Sequence, residues 1–324
     1  MPENLHPERV KGNTPQATVV ICAYTEDRWE TLRLAVDTAL KQLNPEDELL
    51  IIVDYNNRLL VRCRDSLDRC LVIPNRYNRG LSGARNTALG EAHGSIIVFL
   101  DDDAVPLDGW LDALRAPYAD ESVHGVGGLA RPRWSGGQPE WFPEEFLWVV
   151  GCSYRGLPAR PHQVRNLHGA NMSFRAAVFD HIGGFSENLG RVGSRPLGCE
   201  ETELSIRLGR AYPEAILLYD PSAEVEHHIS RQRESLGYFV RRCWSEGLSK
   251  AEVSRRVGRA SALSSERDYA SRVLPAGVWR GLRDSLAGDI WGAARSVVIV
   301  LGLAATTVGY WAGTVRKPSG GEAK

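Results

Sequence analysis

The first hundred residues alternate short unbroken apolar runs with longer stretches in which apolar positions recur every three or four residues. The run 17–22 (A-T-V-V-I-C) predicts a first strand, 28–43 a helix, 48–54 (E-L-L-I-I-V-D) a second strand and 70–73 a short third strand. Ser82 is an N-cap for a helix over 83–92, and 95–100 (S-I-I-V-F-L) has the continuous apolar character of a strand buried on both faces. Strand and helix taking turns in this way is the pattern of an α/β fold, a mostly parallel sheet flanked by helices. In such sheets ligands sit beyond the carboxyl ends of the strands. Tyr24, Asp54, Asp101, Asp102 and Asp103 all fall at such ends, so three separate stretches are expected to converge on one crevice.

Beyond residue 128 the pattern changes. Residues 129–161 are rich in Pro, Gly and Trp and read as long loops over the site. Helical spacing returns over 200–211, short strands are expected at 216–219 and 223–226, and 236–257 reads as a long helix with Arg on one side. A polar loop follows over 258–268, then an amphipathic stretch over 279–291, then the run 296–315 without a single charge. As a helix that run would measure about 30 Å, enough to cross a hydrocarbon core. Tyr310 and Trp311 near one end, with Arg295, Arg316 and Lys317 outside both ends, favour a membrane boundary. Gly302, Gly309, Gly313 and three Thr dilute the hydrophobicity, which leaves a span and an interfacial helix both open.

Composition narrows the class. With 43% hydrophobic and 24% charged residues the chain can form an ordinary soluble core. The net charge of −1 hides an asymmetry: residues 1–228 carry 23 Lys/Arg against 32 Asp/Glu, and residues 229–317 carry 15 against 7. An acidic body excludes nucleic acid as the main partner, whereas the basic end suits an anionic membrane surface. The six cysteines form no C-x-x-C pair, which argues against a zinc site or a disulfide scaffold. Residues 1–16 are polar and lack the apolar centre of a secretory signal, so the body is expected in the cytoplasm, at the membrane face.

The strongest chemical signal is F-L-D-D-D-A at 99–104. Carboxylates clustered at the end of a buried strand need a compensating charge, and a divalent cation of the Mg²⁺ or Mn²⁺ type supplies it. Asp101 and Asp103 share a face if the chain stays extended, and Asp102 points the other way. A second cluster, G-C-E-E-T-E-L at 198–204, opens a helix with three glutamates, which the macrodipole favours by itself. A functional reading needs one of them free as a base, and Glu200 and Glu201, about 100° apart on a helix, cannot both face the crevice. The pair His227 and His228 follows an alternating strand, where a neutral imidazole would complete an oxygen-rich metal shell. Trp134, Trp141 and Trp148 suit stacking on a flat ligand face, or equally packing. Between the first strand and its helix the chain reads A-Y-T-E and not G-x-G-x-x-G, which excludes a dinucleotide-dependent oxidoreductase.

Taken in order, V-V-I-C-A-Y-T-E at 19–26, I-I-V-D at 51–54, N-R-G-L-S-G-A-R-N at 78–86, F-L-D-D-D at 99–103, G-A-N-M-S-F-R at 169–175, G-G-F at 183–185 and E-E-T-E-L at 200–204 resemble the family-2 glycosyltransferases of the GT-A fold. The resemblance spans residues 17–258. It implies a Rossmann-like, mostly parallel sheet flanked by helices. Outside that span the residues themselves divide into a polar tail at 1–16, a basic amphipathic helical region at 259–295, a candidate membrane helix at 296–315 and a tail at 316–324. The resemblance further implies inverting transfer of a sugar from a nucleotide diphosphate donor, assisted by Mg²⁺ or Mn²⁺, onto a sugar or lipid-linked acceptor in cell-surface glycan or glycolipid synthesis. By the same resemblance Tyr24, Glu26, Asp54, Arg85, Asp101 and Asp102 are nucleotide-binding, Asp103 and His227 hold the metal, and Glu201 is the base with Glu200 the alternative. Trp134, Trp141 and Asn171 are the acceptor-side candidates. The chain departs from the family pattern in having Glu at the position of the base, Thr25 after Tyr24, and Tyr55 after Asp54. Two other readings share parts of this pattern. A sugar-phosphate nucleotidyltransferase would want a basic, Gly-rich loop where Glu26 and Asp27 stand. A non-catalytic nucleotide-sugar-binding module would have no need of Asp103, Glu201 and His227 together.

Overall fold

The computed structural model describes residues 15–187, 189–190, 198–258 and 264–315. The tail at 316–324, nearly all of the tail at 1–16 and the middle of the predicted 258–268 loop lie outside the described residues.

Strands β1 (Ala17–Ala23), β2 (Glu48–Val53), β3 (Leu71–Pro74) and β4 (Ile96–Asp101) are parallel, in the spatial order β3-β2-β1-β4. Their side chains alternate between two cores. Val19 and Ile21, Leu49 and Ile51, Ile96 and Val98 pack beneath helices α1 (Trp29–Leu40), α2 (Asn57–Ser66) and α4 (Trp110–Arg115). Val20, Leu50, Ile52, Ile97 and Phe99 pack on the other face against α3 (Leu81–Leu89), α5 (Ala176–Ile182) and α6 (Glu200–Ala211). Burial on both faces is why these strands read as continuous apolar runs.

The sheet continues as β8 (Asn171–Arg175), antiparallel to β4, then β6 (Val123–Trp134), β9 (Ile216–Ile229) and β5 (Ala104–Pro106), with β7 (His162–Gln163) on the flank of β9. The two short strands expected at 216–219 and 223–226 are one strand. Its register against β6 shifts where Gly128 faces Asp220 and Leu129 faces Glu224, and the Asp220 carboxylate accepts the Ser222 amide in the bulge. Part of the stretch read as loops at 129–161 is ordered: β6 runs on to Trp134, and Glu144–Val150 forms a 3-10 helix. The N-cap of α3 is Gly80 and not Ser82, whose hydroxyl donates to the Leu189 carbonyl.

The C-terminal part is helical: α7 (Leu236–Val257), α8 (Ser264–Asp268), α9 (Leu274–Leu286) and α10 (Trp291–Val315). The amphipathic stretch predicted at 279–291 is the second half of α9, a tight turn, and the first residue of α10. A third core of Phe142, Phe146, Phe239, Val298 and Ile299 joins these helices to the 3-10 helix. All six cysteines are free.

Candidate active site

The carboxyl ends of β1 and β4 lie side by side, with Cys22 opposite Asp101. After β1, the Thr25 side chain accepts the Asp27 amide and turns the chain into a short 3-10 helix, Glu26–Arg28. That turn returns Arg28 to the acid cluster, 2.5 Å from Asp102 Oδ1 and 3.1 Å from Asp103 Oδ2. Strand β5, which follows Asp103, pairs Ala104 with His227 on β9. His227 Nε2 therefore sits 3.1 Å from Asp103 Oδ1 and 3.8 Å from Asp101 Oδ2. Alternation along β9 sends His228 the other way, to the Ser135 hydroxyl at 3.0 Å. A 3-10 turn after β9 (Arg231–Glu234) places Arg233 Nη2 3.5 Å from Asp103 Oδ2.

Burial raises the three aspartates, and their neighbours then separate them. His227, Arg28 and Arg233 outweigh burial at Asp103 and hold its carboxyl well below the usual range. Asp101 is lowered by the nearby His227 imidazole and Arg85. Asp102, which has only Arg28 against burial and two neighbouring acids, is pushed up to about 6. Burial alone would depress His227, but Asp103 and Asp101 raise it well above an ordinary imidazole. Ligand atoms of Asp101, Asp103 and His227 lie within 4.8 Å of one another. Two carboxylates and an imidazole form a donor set suited to a hard divalent cation. Gly151 crowds the ring: a Cβ there would stand 3.0 Å from His227 Cε1 and 3.1 Å from Nε2, at a φ of +87°.

The three glutamates of α6 divide by partner. Glu200, 4% exposed, lies 3.0 Å from Arg85 Nη1. Glu203 pairs with Arg207 at 2.9 Å on the same helix. Glu201 makes no ion pair among the described residues, and burial followed by the Glu200 charge pushes its carboxyl up to about 8. Arg85 ties this helix to the aspartates: it donates to the Gly169 carbonyl at 2.9 Å and lies 3.9 Å from Asp101 Oδ1. A Cβ on Gly169 would be 3.3 Å from Arg85 Nη2 and 4.0 Å from Glu201 Oε2, so Glu201 and Arg85 both border Gly169.

Other expected site residues sit differently. Arg85, expected to face the nucleotide, is 2% exposed between Phe99 and Phe185, and its donors are spent inside the protein. Asn171, an acceptor candidate, is fully buried: its side chain accepts from Trp110 Nε1 and donates to the Leu129 and Ala223 carbonyls, bracing β6, β8 and β9. Trp134 packs edge-on against Phe142, and Trp141 lies against Phe142 and Phe239, so both anchor the third core. The Asp54 carboxylate accepts the Gly80 amide and the Asn75 side chain, which fixes the start of α3. Tyr24 is exposed, with Arg28 over its ring, and one Glu26 oxygen is buried without a partner among the described residues. Arg28 and Arg233 were not among the sequence candidates. The need for cations around a buried acid triplet is the signal that points to them.

Residues 18–183 match the family described as Glycosyl transferase family 2. The chain belongs to that family. A glucosyl-dolichyl phosphate glucuronosyltransferase of Haloferax volcanii is 33% identical over 250 residues, which cover 76% of this chain and 80% of the relative. Among solved structures, the mannosyltransferase PcManGT from Pyrobaculum calidifontis, in complex with GDP-Man and Mn²⁺, superposes with a TM-score of 0.54 at 18% identity over 90% of this chain and 87% of that one. GalNAc-T7 with UDP, GalNAc and Mn²⁺ gives a TM-score of 0.55 at 16% identity over 80% of this chain and 58% of that one. The glycosyltransferase therefore has the GT-A fold with a C-terminal helical extension, and the nucleotidyltransferase and binding-module readings fall away.

Proposed function

We propose that this family-2 glycosyltransferase moves a sugar, with inversion, from a nucleotide diphosphate donor to a hydroxyl of a lipid-linked acceptor at the cytoplasmic face of the cell membrane. The observation that carries the reading is the freedom of Glu201: among the described residues it is the one glutamate of the α6 cluster without an ion pair, and it borders Gly169 beside Arg85, which reaches to 3.9 Å from Asp101. Glu201 takes the acceptor hydroxyl proton as the acceptor attacks from the face opposite the leaving group, an inverting displacement that uses one base. Asp101, Asp103 and His227 would hold Mg²⁺ or Mn²⁺, which when bound neutralises charge on the departing diphosphate. Tyr24 and Glu26 border the nucleotide at the rim. Glu200 and Arg85 keep Glu201 in place and out of an ion pair. The lipid-linked acceptor is supported by the Haloferax volcanii relative, whose name specifies glucosyl-dolichyl phosphate. The cytoplasmic side follows from the need to meet soluble nucleotide sugars.

The test is a panel of nucleotide diphosphate sugars offered with polyprenyl-phosphate-linked sugars, reading release of the nucleoside diphosphate and glycosylated lipid. One donor should be consumed in the presence of Mn²⁺ or Mg²⁺, with product on the lipid-linked acceptor. Consumption only with water-soluble acceptors would overturn the acceptor class. Retention of anomeric configuration would overturn the single-base mechanism.

A further inference from the structure

Helix α10 has the length and composition of a membrane span, 25 residues from Trp291 to Val315. Its packing argues for a different position. Helices α7 and α10 run side by side at backbone contact: a Cβ on Gly247 would come within 2.1 Å of the Thr306 carbonyl oxygen, and one on Gly309 within 2.3 Å of the Trp244 carbonyl oxygen. Gly302 sits against Phe146 and Phe239, and Gly313 against Leu248 and Ala251, so the contact runs along most of α10. At its end Arg255 donates to the Gly313 carbonyl at 2.6 Å. Wherever α10 goes, α7 must follow, and α7 carries the Arg242–Glu246 and Lys250–Glu246 ion pairs with Glu252 and Arg255 beyond them. A bilayer crossing would draw those charges into hydrocarbon, which is among the most costly placements available to a side chain.

The face of α10 turned away from α7 and α9 is apolar. Val297, Val300, Leu301, Val308, Trp311 and Val315 are exposed along it, and no charge interrupts the stripe. Alongside, α9 exposes Trp279 (73%), Leu282 and its last residue Leu286 (91%), and the turn that follows exposes Ile290 (80%). Basic groups flank this surface, with Arg283 exposed on α9 and Arg272 exposed just before its start. The projecting Leu286 and Ile290 at the tip suit a deformable acyl layer better than the flat face of a protein partner. Tryptophans with flanking arginines are the composition of a helix lying at a headgroup boundary. The surface continues to the catalytic body: Trp141 and Leu236 form an apolar groove of about 390 Å³ with Trp291, Val297 and Val298, and Leu236 begins α7 three residues after Arg233.

We propose that the α9–α10 hairpin is a monotopic docking surface that lies in the plane of one leaflet, its tip and outer stripe in the acyl boundary and its arginines at anionic headgroups, without crossing. This is independent of the roles given to Glu201 and the acid cluster, because a chain carrying Asp103→Asn would bind membranes equally well. The experiment adds the purified full chain to preformed sealed vesicles, one set of neutral phosphatidylcholine and one containing phosphatidylglycerol, and measures co-flotation. Wild type should float with the anionic vesicles, and Leu286→Asp with Ile290→Asp should float at least tenfold less at an unchanged melting temperature. Cysteines introduced as Gln138→Cys, on the body beside the start of α10, and Thr314→Cys, at its end, in separate chains bound to vesicles, should both react with a membrane-impermeant maleimide from outside. Protection of one and labelling of the other would overturn the proposal in favour of a span. Equal flotation of the double-aspartate variant would overturn the assigned surface. A wild-type dimer that the double variant converts to monomer, with no flotation of either, would give the surface to a second copy.

Discussion

Arg85 Nη1 lies 3.0 Å from Glu200 Oε1 with both side chains almost wholly buried, and this pair decides which glutamate of α6 is available for chemistry. Glu200 serves as the counterion of Arg85. Glu201, one position on, receives the repulsion of Glu200, feels Arg85 only at a distance, and forms no ion pair among the described residues.

Glu201→Gln keeps the size of the side chain and removes its basicity, so acceptor transfer should fall by roughly 10² to 10⁴-fold while donor binding persists. Glu200→Ala should act mainly on the fold, costing about 3 to 5 kcal/mol because it leaves the Arg85 charge buried. Denaturant melts and single-turnover transfer, measured on both variants, separate the two effects. A larger loss of transfer in a folded Glu200 variant would move the base to that residue.

The raised Glu201 carboxyl has a pH signature. Between the ordinary value of 4.5 and about 8 the folded protein holds a proton there that the unfolded chain has released. Stability contributed by this site therefore falls as pH rises through that window, and Glu201→Gln should gain in melting temperature relative to wild type toward pH 8. The kcat/KM of wild type should rise with pH on a limb with an apparent pKa near 8 as the base ionises. A flat melting-temperature difference across the window would show that Glu201 titrates normally.

Asp103→Asn removes the charge that His227, Arg28 and Arg233 surround. Turnover should drop roughly 10³-fold, in line with the several kcal/mol a bound metal ion can supply. Mn²⁺ binding by calorimetry should be lost from the same variant and kept by Glu201→Gln. Equal Mn²⁺ affinity in the Asp103 variant and wild type would remove this residue from the metal site.

Gly151→Ala adds only a methyl group, but at a φ of +87° and 3.0 Å from His227 Cε1. Backbone strain of about 1 to 3 kcal/mol should appear in the melt. The displaced imidazole should raise the Mn²⁺ requirement of the reaction. An activity titration with Mn²⁺ that overlays wild type would show that the ring is free to move.

The sequence by itself determined the doubly covered half of the sheet, because strands buried on both faces must be continuous apolar runs and the helices between them must be amphipathic. It also placed Asp101, Asp102 and Asp103 at the carboxyl end of a buried strand and the three glutamates at the start of a helix. Tertiary structure alone decided their separate fates. Nothing local distinguishes Glu200 from Glu201 or His227 from His228; the distinction arises when Arg85 arrives from α3 and when β5 pairs with β9. Long-range pairing also produced the end of β6, whose glycines and proline have the composition of a loop, and joined the two short strands read at 216–226 into the single bulged β9. Composition left the C-terminal run open between a span and an interfacial helix, and glycine contacts with a charged neighbouring helix are visible only once both are folded. Periodicity records which side of an element is buried, whereas the identity of the partner is set by residues distant in the chain.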